Sequence, residues 1–222
     1  MGTDLAIIIK CTADKRVLQC VRSIDIQARI VVCCPDEHWL RTSLEDLGAY
    51  LVTSPVGNIG CSCNPGVQAT DEPYLVFMDC DSVFVPGCLS QLRVHLADHP
   101  VVRARVCFQR AGLSSSLVAK LRSYKRNAQR KAYMPGLCIR RELLKDVGGF
   151  NEDIGWAIDA DLDRRLRMHF IKPIVLENAV VNHPPITIHH DLKMAIKTGM
   201  ASIRGESARG EINEFSWIRF LS

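Results

Sequence analysis

No Cys-x-x-Cys pair occurs in this sequence, although it carries ten cysteines in 222 residues. They are scattered or adjacent, as in Cys33-Cys34 and Cys61-x-Cys63, which is neither a secreted disulfide framework nor a zinc knuckle. Reduced, mostly buried thiols are the expectation. A zinc site built from Cys33, Cys34, Cys61 and Cys63 is the sharper alternative. An excess of one charge is also lacking: 28 Lys and Arg stand against 24 Asp and Glu, a net +4. That balance is too weak to argue for nucleic acid by itself and is compatible with small anionic substrates. The opening "MGTDLAIIIKC" has an acid at Asp4 and only a short apolar run, so neither a signal peptide nor a membrane span is expected there. Ala6 stands where myristoylation needs Ser or Thr. The expected compartment is cytoplasmic.

What is present is the composition of an ordinary globular protein, 47% hydrophobic and 23% charged, in a chain long enough to bury a sizeable core. Short apolar runs alternate with helical stretches. "LAIIIK" (5–10) precedes a helix expected over 14–26, "RIVVCC" (29–34) precedes one over 37–47, and "AYLVT" follows (49–53). This is a βαβαβ pattern. Strands without polar alternation are buried on both faces, as in an open parallel sheet covered by helices. Ligands of such sheets sit at the carboxyl ends of the strands.

"YLVFMDCDSVFVPG" (74–87) is the next such strand, and it stops at two aspartates. In extended chain, residues two apart point the same way, so Asp79 and Asp81 project together while Cys80 points to the other side. Two close carboxylates repel unless a cation neutralises them, and Mg²⁺ or Mn²⁺ does so while leaving positions open for other oxygens. A polar turn accounts for the same three residues without any ion.

The second half contains "YMPGLCIRRELLKDVGGFNEDIGWAIDADLDRRLRMHF" (133–170). It predicts a strand, a helix ending at Gly148-Gly149, a loop, and a helix entered through Asp159. Leu162, Leu166 and Phe170 recur every fourth residue as a core-facing stripe. Asp161 and Arg165 are set for an ion pair on another face. Asp159 at the helix start is either an N-cap or, at the rim of the same cleft, a general base.

In their order and separation these segments resemble glycosyltransferase family 2, enzymes of the GT-A fold that use nucleotide-diphosphate sugars. The likeness runs from Leu5 to about Gly199. It rests on "LAIIIKCTADKRVLQCVRSI", on "NIGCSCNPGVQAT" with Asn58, Gly60, Asn64 and Gly66, and on the DxD strand with its following Pro86. "GGFNEDIGWAIDADLDRRL" and "VVNHPPITIHHDLKMAIKTGMAS" complete it. Lys10-Cys11 replaces the usual Pro-Thr, Cys33 the usual aspartate after the second strand, Cys63 the usual Arg, and Ile158 the Glu of the Glu-Asp pair. Asp36, a few residues on, is left as the acid near the base.

The resemblance implies an α/β GT-A fold, one Rossmann-like domain with a central, mostly parallel sheet flanked by helices. Residues 1–204 would form it, with 1–100 as the nucleotide-sugar half and 101–204 as the acceptor and catalytic half, followed by a tail over 205–222. It implies a metal-dependent, inverting hexosyl transfer from a nucleotide-diphosphate sugar, a UDP-sugar favoured, to a carbohydrate or lipid-linked acceptor. Asp159 would be catalytic. Lys10, Cys11, Asp36, Asn64, Asp79, Cys80 and Asp81 would line the donor site. Asp79, Asp81 and His183, with His189 and His190 as rivals, would hold Mn²⁺ or Mg²⁺. Gly149 and Trp156 would meet the acceptor.

The basic run "SYKRNAQRKAYMPG", with Lys125, Arg126, Arg130 and Lys131, reads as a solvated helix face or as a contact for an anionic or lipid-linked acceptor at a membrane surface. No nucleic-acid partner is expected. Two other functions stay open. One is an inactive relative acting as a binding module. The other is a nucleotidyltransferase, although "KCTADKR" lacks the glycine-rich loop such enzymes carry after the first strand.

Overall fold

The computed structural model describes residues 3–12, 14–35, 39–55, 59–128, 131–154, 158–189, 191–193 and 196. Among the described residues eight strands form, β1 (Leu5–Lys10), β2 (Arg29–Cys34), β3 (Tyr50–Thr53), β4 (Tyr74–Asp79), β5 (Val83–Phe84), β6 (Val101–Phe108), β7 (Leu137–Arg140) and β8 (Ile174–His183). The helices among these residues include α1 (Val17–Arg22), α2 (Arg41–Asp46), α3 (Ile59–Gln68), α4 (Cys88–His95), α5 (Leu113–Ala128), α6 (Arg141–Asp146) and α7 (Ile158–Met168).

All eight strands join one sheet in the order β3-β2-β1-β4-β7-β6-β8-β5. The β1–β2, β1–β4, β2–β3 and β6–β8 pairs are parallel, whereas β7 runs antiparallel to β4 and β6, and β5 antiparallel to β8. Successive residues of the inner strands feed different cores. Leu5, Ile7, Ile9, Val76 and Met78 belong to one cluster, and Ala6, Ile8, Leu75 and Phe77 to the other. Burial on both faces is why these strands read as unbroken apolar runs, each such side chain contributing about 1.5–3 kcal/mol.

The same alternation disposes of the zinc alternative. Cys33 lies in one core cluster and Cys34 in the other, on opposite faces of β2. No cysteine with a described side chain is in a disulfide, and most are buried.

β5 stands at one edge of the sheet and β4 in its interior, yet only residues 80–82 join them. The four Cα steps from Asp79 to Val83 reach at most ~14 Å, short of the distance across the intervening strands of a flat sheet. The sheet must therefore curl until its β8–β5 edge returns to the end of β4. That closure brings the two halves of the chain together at one point.

Helix α3 lies very close to the sheet. A β-carbon on Gly66 would stand 2.6 Å from Cys33 Sγ and 2.7 Å from Ile8 Cγ2, so only glycine lets the helix seat there. Gly148 and Gly149 end α6 with φ of +86° and +69°, and their amides bond back to Lys145 and Leu144.

Several expected boundaries move. Helix α1 is shorter than 14–26: Asp14 forms a side-chain turn onto the Arg16 amide before it, and the Ser23 hydroxyl donates to the Cys20 carbonyl at its end. Helix α2 occupies only the later part of the 37–47 stretch. The α7 stripe is Ile158, Leu162 and Leu166, all buried, rather than one running to Phe170. The helix stops at Met168, and Phe170, at φ +59°, is 96% exposed. The Asp161–Arg165 pair forms, Nε to Oδ2 at 2.9 Å.

Candidate functional site

Lys10 and Asp79 are the last residues of β1 and β4 and sit opposite each other in register. Their side chains form an ion pair, Nζ to Oδ1 at 2.9 Å. Burial works against the Lys10 ammonium, but the carboxylates, Asp79 chiefly and then Asp159, outweigh it, and its pKa is raised overall. Asp159, in the first turn of α7, is thus near enough to act on Lys10. Its own Oδ1 accepts the Ala160 amide at 2.9 Å.

Beyond the strand, Ser82 closes a turn by donating its amide to the Asp79 carbonyl, and its hydroxyl lies 3.2 Å from Asp81 Oδ1. Asp81 is there met from two directions. Arg16 Nη1 stands 3.6 Å from its Oδ2, and His183 Nε2, at the end of β8, stands 4.0 Å from the same oxygen. Pairing of Val83 with Asn182 in the β5–β8 ladder fixes that approach.

The His183 ring leans on Phe108, centroids 4.9 Å apart, and its Nδ1 lies 2.8 Å from the Pro184 carbonyl. A carbonyl only accepts, so Nδ1 carries a proton, and Nε2 is the ring nitrogen left facing Asp81. Ligand atoms of Asp79, Asp81 and His183 all lie within 4.8 Å of one another. Two hard carboxylate oxygens and one imidazole nitrogen suit Mn²⁺ or Mg²⁺, and the carbonyl behind His183 fixes the orientation of its ring, as hydrogen-bond partners of metal-bound histidines do. His189 is exposed and belongs to no such group among the described residues. His190 lies outside them.

The remaining predicted residues fall as follows. Cys11 and Cys80 are hydrogen-bonded to each other, and this bond, with burial, pushes the Cys80 thiol up; Cys80 also packs on the core. Burial pushes Cys63, behind Lys10, up to about 12, so it stays a neutral thiol. Asn64 binds the loop after α6 at both ends of its amide. Its Nδ2 donates to the Phe150 carbonyl and to Glu152, each at 2.8 Å, and its Oδ1 accepts the Phe150 amide at 3.1 Å. Gly149 lies against that amide, and with Asn64 it borders an open cleft of about 440 Å³ that also takes in Thr70, Asp71, Arg141 and Lys145. Asp36 and Trp156 lie outside the described residues, as does the tail over 205–222.

Arg16 was not anticipated. Its signal is the Asp14-x-Arg16 spacing: the Asp14 carboxylate grips the guanidinium and holds it toward Asp81.

This arrangement, strands of one curled sheet converging on an acidic carboxyl end, is a GT-A-like α/β fold. Solved structures share it. The chain superposes on the mannosyltransferase PcManGT from Pyrobaculum calidifontis, in complex with GDP-Man and Mn²⁺, with TM-score 0.69 at 14% identity, covering 96% of this chain and 66% of that one. It superposes on S. aureus TarS 1–349 in complex with UDP-GlcNAc with TM-score 0.63 at 14% identity, over 91% and 66% of the two chains. Against a longer TarS chain the TM-score is 0.60 at 14% identity and 90% of this chain is covered, but only 39% of that one. No family model matches the sequence, and no curated protein does.

Proposed function

We propose that this chain is a metal-dependent glycosyltransferase that moves a sugar from a nucleotide-diphosphate sugar to an acceptor hydroxyl with inversion. One observation carries the reading: Asp79, Asp81 and His183, from distant parts of the chain, bring their ligand atoms within 4.8 Å of one another at the carboxyl end of the sheet. The charge of Asp159 acts on Lys10 at the same end. The fold is shared with structures holding GDP-Man and UDP-GlcNAc.

In this mechanism Asp79, Asp81 and His183 hold Mn²⁺ or Mg²⁺, which neutralises charge on the leaving diphosphate. Lys10 and Arg16 are the chain's own cations beside it and face the same phosphates. Asp159 takes the proton of the acceptor hydroxyl as that oxygen attacks the anomeric carbon. Asn64 positions the loop after Gly149 on the acceptor side by holding Phe150 through its backbone. Residues 1–100 thus supply most of the donor half, and 101–204 the acceptor half.

A thermal-shift panel with UDP, GDP and dTDP sugars, with and without Mn²⁺, tests the donor site through binding to the native state. A rise in Tm with one of them in Mn²⁺ is expected; none with any of them removes the proposal. Asp159→Asn should lower transfer by roughly 10²–10⁴-fold while sparing nucleotide binding. Wild-type transfer by that variant would sink the base assignment.

The Lys10–Asp79 ion pair favours one second reading, a nucleotide-binding module in which Lys10 takes the place of the metal. Nucleotide binding that Mn²⁺ leaves unchanged, with no transfer, would establish it.

A further inference from the structure

Next to this site, two helical segments leave apolar rows in solvent. Leu113, Leu117 and Leu121 recur every four residues along α5 and are 94%, 55% and 62% exposed. Ser115, Val118 and Ala119 of the same helix are buried, the latter two packed with Val106, Phe108 and Ile186. At ~100° per residue the leucines occupy an arc opposite those buried residues. The helix is therefore apolar on both sides, with its core contact already complete.

The second row follows His183 directly. After Pro184, Pro185 and the buried Ile186, the chain is helical at 188–189, 191–193 and 196, and Ile188, Leu192 and Ile196 are exposed. An ion pair from Arg122 of α5 to Asp191 ties the two segments together. The α5 sequence carries Lys120, Arg122, Lys125 and Arg126 and no acid, and Lys120 is exposed beside the leucines.

We propose that these rows form a docking face for an anionic lipid bilayer. Leu113, Leu117, Leu121, Ile188, Leu192 and Ile196 enter the boundary between headgroups and acyl chains, and Lys120 meets lipid phosphates. An amphipathic surface of aliphatic side chains flanked by basic ones, with no acid along α5, has the charge and chemistry of an interfacial helix. A protein partner is the poorer fit, because the cores of protein interfaces favour aromatic anchors and these rows hold only Leu and Ile. The face stands independently of the proposed chemistry. Combined with that chemistry, it selects a lipid-linked acceptor, since α5 and the 188–196 segment follow the carboxyl ends of β6 and β8, where His183 lies.

The test is co-sedimentation of the full chain with phosphatidylcholine vesicles, with and without phosphatidylglycerol. The wild-type chain should pellet with the phosphatidylglycerol vesicles and much less with phosphatidylcholine alone. Leu117→Glu with Leu121→Glu should weaken that binding by at least about tenfold, with an unchanged melting temperature because both leucines lie in solvent. Lys120→Glu should weaken it by roughly fivefold or more. Asp81→Ala should pellet like wild type, which separates failure of the donor site from failure of this face. A wild-type chain left in the supernatant, or equal pelleting after the Leu117→Glu and Leu121→Glu changes, overturns the proposal. So does a concentration-dependent dimer that those changes abolish while vesicles have no effect, which would make the face self-associating.

Discussion

Asp79 and Asp81 are two residues apart and are neutralised in different ways. Asp79 belongs to β4, and the parallel register with β1 delivers Lys10 to it. Asp81 lies outside the strand, and its partners come from farther away: Arg16 from the turn before α1, and His183 from the last strand, reached only because the sheet curls back. One carboxylate is thus set by local pairing and the other by closure of the fold. The lesson is that the Asp79 side should tolerate change in the second half of the chain, whereas the Asp81 side should feel it.

The largest expected effect falls on the closure side. Asp81→Ala should remove the Mn²⁺-dependent rise in Tm with nucleotide and weaken Mn²⁺ binding by about a hundredfold, read by calorimetry, because one of two carboxylate ligands is lost. Retained Mn²⁺ binding would leave Asp79 as the sole acidic ligand and break the comparison. On the register side, Gly66→Ala should cost about 1–3 kcal/mol by pushing α3 off Ile8 and Cys33. At ~2–4 °C per kcal/mol for a chain of this size, the melting scan should drop by several degrees.

Smaller effects sharpen the contrast further. Lys10→Met removes the cation that competes for Asp79, so Mn²⁺ should bind about fivefold tighter while the metal-free protein melts lower. If metal-free nucleotide binding collapses instead, Lys10 is standing in for the ion. The smallest effect belongs to Asp14. Its hydrogen bond from Arg16 holds its carboxyl below the usual range despite partial burial. The stability it adds is complete above the unfolded carboxylate value and lost as pH falls through the lowered folded one. Asp14→Asn should therefore lower stability by a few tenths of a kcal/mol at neutral pH, and its difference from wild type should vanish as pH falls below the lowered carboxyl value.

Legibility of the sequence followed the same division. Strands β1, β2 and β4 could be read because both of their faces are buried, which leaves uninterrupted apolar runs. With them came the placement of Asp79 at a carboxyl end. Helix ends were read less well, because Asp14 and Ser23 compete for backbone groups that would have extended α1. Phe170 kept the helical period of Leu162 and Leu166 but lies past the end of α7, in a left-handed conformation that periodicity does not register. The approach of His183 to Asp81 left no local trace at all. It depends on β5 pairing with β8 across the sheet, and only a resemblance in motif order pointed to it. Arg16 escaped because one arginine after a strand looks like any solvated charge until its partner is known.

The three residues from Cys80 to Ser82 also act as a ruler. Their number sets how far the β8–β5 edge can stand from the end of β4, so it sets the gap between the two carboxylates and the imidazole without supplying every ligand itself. Adding residues there would change no donor atom and leave the core strands paired as before. The aperture would nonetheless widen, and the site would lose its fit to an ion through slack alone.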